Sequence, residues 1–152
     1  MGPGTTVTQS VIDRLIDKPQ PTTRSESVKD LKRSLHRDME WLLNTRRINE
    51  EVKDKRSELT KSLYNYGLPD LTQFGVNSAN DQKRVAYVLE SAISIFEPRL
   101  TAVRVTLDEF QRGEKTLRFH VDGLLLMDPA PERISFDTVL ELTKGDYQVK
   151  GT

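Results

Sequence analysis

The stretch Asp81–Leu107, DQKRVAYVLESAISIFEPRLTAVRVTL, changes its period in the middle. Up to Phe96 the apolar residues Val85, Val88, Leu89, Ala92, Ile93, Ile95 and Phe96 recur at helical spacing and make a broad face. That width predicts a central core helix. From Leu100 onward Val103, Val105 and Leu107 alternate with Ala102, Arg104 and Thr106, the period of a half-buried strand. Between the two patterns stands Glu97-Pro98-Arg99. Proline biases the residue before it away from helical backbone, so the helix must end there. It ends on a carboxylate, in the negative field of the helix dipole, where a cation would be favoured. Such a charge needs a partner, and spacing alone leaves two open: an internal ion pair with Arg99, or a contact on another chain.

Downstream of this junction the period stays near two. Leu117, Phe119 and Val121 alternate with Arg118, His120 and Asp122, after a hairpin-type connection over 108–115 that contains Gly113. Ile134, Phe136, Thr138, Leu140 and Leu142 make a third strand after the proline-rigid turn 127–132, and Tyr147 and Val149 a short fourth. Upstream the pattern is helical. Val28, Leu31, Leu35, Met39 and Leu42 form one stripe from Ser25 or Ser27 to about Asn44, which is suited to a left-handed cap. The opposite face, Lys29, Lys32, Arg33, Arg37 and Glu40, reads as solvated surface. Helices first and antiparallel strands after is the α+β pattern. The expected fold is N-terminal helices and a central core helix packed on a small, mainly antiparallel sheet from the C-terminal half.

The N-terminal residues 1–24 read as a flexible segment carrying one short helix, Ser10–Ile16, whose apolar residues Val11, Ile12, Leu15 and Ile16 should dock on something. Residues 25–152 read as a single domain. A sparse second helix is expected across 46–61. In Asn65-Tyr66-Gly67-Leu68-Pro69-Asp70 the turn formers are dense, while the tyrosines and leucines of 63–71 should pack inward.

At 152 residues, with 23 basic and 23 acidic side chains, the chain has no bulk pull toward nucleic acid or an anionic membrane. The basic clusters at 46–56 are interrupted by Glu50, Glu51 and Asp54 and lack an aromatic platform, so nucleic-acid binding is not expected. No apolar run is long enough to span a membrane. Cysteine is absent, and His36 and His120 stand on separate elements, so metal and thiol sites are not expected. No nucleophile elbow or phosphate-binding glycine loop occurs, and no cofactor is expected. Carboxylate chemistry remains: Glu97 with Asp70 or Asp108 could form the pair of a muramidase-like glycoside hydrolase. Arg99 argues against that, since a nearby cation favours the charged carboxylate over the protonated acid.

Three segments in order carry a resemblance: Leu42-Leu43-Asn44-Thr45-Arg46, Asn65-Tyr66-Gly67-Leu68-Pro69-Asp70, and Phe96-Glu97-Pro98-Arg99-Leu100. With Asp13-Arg14-Leu15 before them and a strand-rich tail after, the chain resembles TssE, the baseplate wedge component of bacterial type VI secretion systems. That family is similar in turn to the lysozyme-like wedge proteins of contractile-tailed phages. The resemblance implies a structural protein and not an enzyme, working in a cytoplasmic baseplate near the inner membrane. It implies docking on other wedge subunits through Glu97, Pro98 and Arg99, with Asn65, Tyr66, Gly67, Pro69 and Asp70 as a supporting loop. It also implies a part in initiating the contractile sheath, whose subunits would join by strand addition to a sheet edge.

Overall fold

The computed structural model describes residues 11–16, 24–47, 58, 61–71, 78–108, 116–128, 130–141 and 146–151. Among these, helices α1 (Val11–Leu15), α2 (Arg24–Asn44) and α3 (Ala79–Phe96) precede strands β1 (Leu100–Leu107), β2 (Thr116–Leu125), β3 (Glu132–Glu141) and β4 (Asp146–Gly151). The strands form one antiparallel sheet in the order β1-β2-β3-β4. Chain order is therefore spatial order, leaving β1 and β4 at the edges. The α+β expectation holds.

Helix α2 lies over β4, α3 lies over β1, and the two helices touch. Together they cover one face of the sheet. Leu31, Leu35 and Met39 from α2 and Val85, Leu89 and Ile93 from α3 meet Phe119, Val121, Phe136, Leu140 and Val149 in one core. The period of two sends the alternate residues to the other face, where Arg104, Arg118, Asp122, Asp137 and Lys150 are exposed.

Local detail departs from the sequence reading at several places. Asn44 does not take a left-handed cap; its side-chain amide donates to the Glu40 carbonyl at 2.8 Å, and the Thr45 hydroxyl donates to the Trp41 carbonyl at 2.7 Å. These side-chain donors add second bonds to carbonyls of the last turn, the Trp41 carbonyl also accepting the Thr45 amide at 3.0 Å. Ser78 stands at the N-cap of α3, where serine is favoured, yet makes no side-chain cap bond. In β1 the alternation breaks: Ala102 has φ 51°, and the register with β2 shifts between Thr101 and Arg104. This is a bulge, and Val103 is only partly buried as a result.

The loop at 61–71 is fastened to the end of α2. The Leu68 amide donates to the Thr45 carbonyl and the Arg47 amide donates to the Leu68 carbonyl, each at 2.8 Å. Gly67 makes this approach possible at φ +102°, since a Cβ there would stand 2.3 Å from the Thr45 carbonyl oxygen. Leu68 is buried, and Tyr66 and Leu71 pack against the core. Leu63 and Tyr64 instead point outward, contrary to the inward packing expected of them. Their short 3₁₀ turn, Leu63–Asn65, buries none of its residues.

Helix α1 also differs from expectation. Val11, Leu15 and Ile16 are more than half exposed, so its apolar side does not meet the body. The body holds it by Asp13 instead. The second helix expected over 46–61, residues 17–23 of the N-terminal segment and positions 109–115 of the expected connection lie outside the described residues, apart from positions 46, 47, 58 and 61.

Candidate functional site

The corner between α3 and β1 is built by backbone rules before any side chain acts. The Glu97 amide still donates to the Ile93 carbonyl at 2.9 Å, but Glu97 itself has left helical geometry at φ −118°, ψ 79°. Pro98 requires that departure. The Leu100 amide then returns to the Glu97 carbonyl at 3.1 Å, closing a turn that leads straight into β1. Within this turn Glu97 and Arg99 meet.

Their contact is close and two-pronged. Arg99 Nε donates to Glu97 Oε1 and Nη2 to Oε2, both at 2.6 Å, and the Arg99 amide adds a 3.2 Å bond to Oε1. The same guanidinium reaches across to α2, donating to Asp38 Oδ2 at 2.7 Å and to Ser34 Oγ at 3.2 Å. Glu97 is only 5% exposed. The charge that looked misplaced at a helix end is thus satisfied inside the fold.

The network continues. Arg37 donates to Asp38 Oδ1 from Nε at 3.1 Å and from Nη2 at 2.9 Å. It also holds Asp13 of α1, with Nη1 to Oδ1 at 3.0 Å and Nη2 to Oδ2 at 3.4 Å. Its guanidinium carbon stands 5.1 Å from the centre of the Trp41 ring, a cation–π contact. Asp13, Arg37, Asp38, Arg99 and Glu97 therefore alternate in sign along one chain of bonds that ties α1, α2 and the α3–β1 corner together.

Electrostatics follow from this alternation. Burial pulls the Arg99 guanidinium down, but its bonds to Glu97 and Asp38 outweigh it and hold it above its usual value. The bond to Asp13 does most to raise Arg37, against a partial desolvation. Tyr66, from the supporting loop, is raised first by burial and then by the negative charges of Asp38 and Glu97. Its ring meets Phe96 edge-on at 5.3 Å, so the loop does reach the corner.

Of the residues singled out from sequence, Glu97 and Arg99 come together, Pro98 is exposed between them, and Tyr66 joins through Phe96. Gly67 supplies the loop's fastening to Thr45, while Asp70 approaches Arg46 at 4.0 Å. Sequence spacing does not place Ser34, Asp38, Arg37 or Asp13 at the site. Arg37 in particular is not on a solvated face, its side chain being only 26% exposed. A signal existed: Ser34 and Asp38 are polar, four residues apart, and border the apolar stripe of α2.

The glycosidase alternative is not favoured. Both oxygens of Glu97 are held by Arg99, leaving no free carboxyl for a sugar. Asp108 lies past the far end of β1, roughly 20–25 Å along the strand at the usual rise. Among the described residues no group of three or more His, Cys, Asp or Glu is placed to hold a metal. No described helix is long and apolar enough to cross a membrane.

A family model described as baseplate wedge protein gp25 matches residues 29–130, two thirds of the chain, from the second turn of α2 to just past β2. The chain belongs to the gp25 baseplate wedge family. Ser34, Asp38, Glu97 and Arg99 all fall inside the gp25 region, as does the supporting loop. Asp13 with α1, and strands β3 and β4, lie outside it. No curated protein and no solved structure matches the chain.

Proposed function

We propose that this protein is a structural component of a type VI secretion baseplate, a TssE-like wedge subunit that docks beside the other wedge subunits. Its second task is to help initiate the contractile sheath, by offering a sheet edge to sheath subunits. The assembly sits in the cytoplasm, at the inner membrane. Membership of the gp25 family supports the baseplate role. The observation that carries the docking site is the sealed network beneath an exposed rim. Buried ions of this kind are better suited to fixing a geometry than to adding stability. Pro98 is exposed at the turn, Ile95 in the last turn of α3 is 39% exposed, and Leu126 is 47% exposed. The Leu126 amide donates to the Arg99 carbonyl at 2.8 Å, so this rim is built on the same corner. Glu97 and Arg99 hold the corner in place, and Pro98 with its apolar neighbours meets the partner.

The test separates rim from frame. Ile95→Glu combined with Leu126→Glu changes exposed groups and leaves the proline-built turn intact. The double variant should fold like the wild type, judged by circular dichroism and unfolding midpoint, yet fail to co-purify with the wedge subunits of its own cell. Undiminished co-purification and normal sheath assembly would remove this corner from the docking surface.

A further inference from the structure

The two edges of the sheet are not equivalent, and the register fixes which backbone groups each one offers. The Asp108 amide donates to the Arg118 carbonyl at 2.9 Å, so the even-numbered residues of the second half of β1 face β2. Val105 is then turned outward, and its amide donates to Glu90 Oε2 of α3 at 3.1 Å. In β2 the even residues face β1 and the odd ones face β3. The unbroken registers Phe119↔Thr138 and Val121↔Phe136 carry this parity across, and Val139↔Gln148 and Asp137↔Lys150 carry it to β4. Gln148 and Lys150 therefore bond back to β3. Tyr147, Val149 and Gly151 turn their N–H and C=O groups away from the sheet.

Edge strands are commonly defended by bulges and by side chains that occupy their free donors. Strand β1 carries both devices: the Ala102 bulge breaks its first half, and the Glu90 carboxylate occupies the outward Val105 amide in its middle. An incoming strand would have to displace a charge-assisted bond and meet a kinked backbone. Strand β4 keeps an unbroken register over its whole length. Among the described residues no hydrogen bond reaches the outward groups of Val149.

We infer that β4 is the edge that accepts a partner strand, and that Glu90 guards β1 against one. This rests on the strand-addition reading given above and names the edge it uses. The occupant is an extended segment of a sheath subunit, because only a strand can pair with outward groups on alternate residues. Its side chains must alternate to match. Those level with Val149, which is buried on the helix side, are apolar. Those level with the exposed Lys150 are polar, with an acidic residue favoured there.

Residue-resolved hydrogen exchange on the full chain, alone and with its cognate sheath subunits, tests both halves. In the free protein the Val105 amide is protected and the Val149 amide exchanges freely. Binding should slow Val149 by roughly tenfold or more and leave Val105 unchanged. Slowing at β1 with Val149 unaffected would overturn the edge assignment while leaving strand addition standing. A complex that slows neither edge, or no complex at all, would overturn strand addition itself and this assignment with it. The guard is tested without any partner. Glu90→Ala should speed Val105 exchange by about tenfold and increase self-association in sedimentation, whereas Glu90→Gln, which keeps an acceptor oxygen, should do neither. An unchanged Val105 rate in Glu90→Ala would overturn the guard.

Discussion

Among the described residues two clusters of acid and base are built from the same chemistry and set in opposite surroundings. One is sealed at the α3–β1 corner, where the side chains of Glu97, Arg99 and Asp38 are 6%, 10% and 17% exposed. The other lies on the open face of the sheet, where His120 is held between Asp137 at 2.7 Å and Asp122 at 3.3 Å, with exposures of 38%, 60% and 54%. Contact distances barely distinguish them. Burial does, because a charge stranded away from water keeps nearly its whole desolvation cost, while one at the surface is re-solvated and screened. The corner is therefore a frame that cannot lose a member, and the open face is a decoration that can.

The largest effect should come from removing the cation at the corner. Arg99→Met leaves Glu97 and Asp38 buried without it and should cost about 3–5 kcal/mol in urea unfolding. A loss no greater than that of a surface ion pair would erase the distinction between the clusters. Next comes the loop that brings Tyr66 to the corner. Gly67→Ala forces a side chain into φ +102° and against the Thr45 carbonyl, and should cost about 1–3 kcal/mol.

A third test concerns burial without pairing. Thr138 is 1% exposed and its hydroxyl has no partner among the described residues, unlike the buried groups of the corner. Thr138→Val should be neutral or stabilising by up to about 1 kcal/mol, read as a raised unfolding midpoint. The smallest effect belongs to the open face. Asp137→Asn should cost less than about 1 kcal/mol, fading in high salt. Its bond to Asp137 does most to raise His120 above its usual value, against slight desolvation and with help from Asp122 and Asp108. A raised value in the folded state means that this small stabilisation is complete below the ordinary histidine range and is lost as pH rises through the raised value. Titration of the His120 ring resonances should show the value falling toward normal in Asp137→Asn.

Element types were legible because the periods are strong. The stripes of α2 and α3 and the alternation of β2 and β3 leave little choice of secondary structure. The Glu97–Arg99 pair was visible as one of two options, since residues two apart across a proline turn can meet. Its third member was not, because Asp38 lies 61 positions from Arg99 and only the packing of α2 beside α3 brings them together. The outward turn of α1 was hidden for a related reason. Its apolar spacing argued for docking by that side, but a single carboxylate bonded to Arg37 fixes the opposite one. The bulge at Ala102 leaves only a faint mark, Leu100 standing out of phase with Val103, Val105 and Leu107, and its place appears in the register with β2.

The charge at the end of α3 is satisfied within the fold, by Arg99. A double-mutant cycle in urea on Glu97→Gln and Arg99→Met measures this directly. The coupling should be about 1–3 kcal/mol, with Arg99→Met substantially less damaging once Glu97 is neutral. Additive losses, with a coupling near zero, would contradict it and return Glu97 to a partner outside the chain.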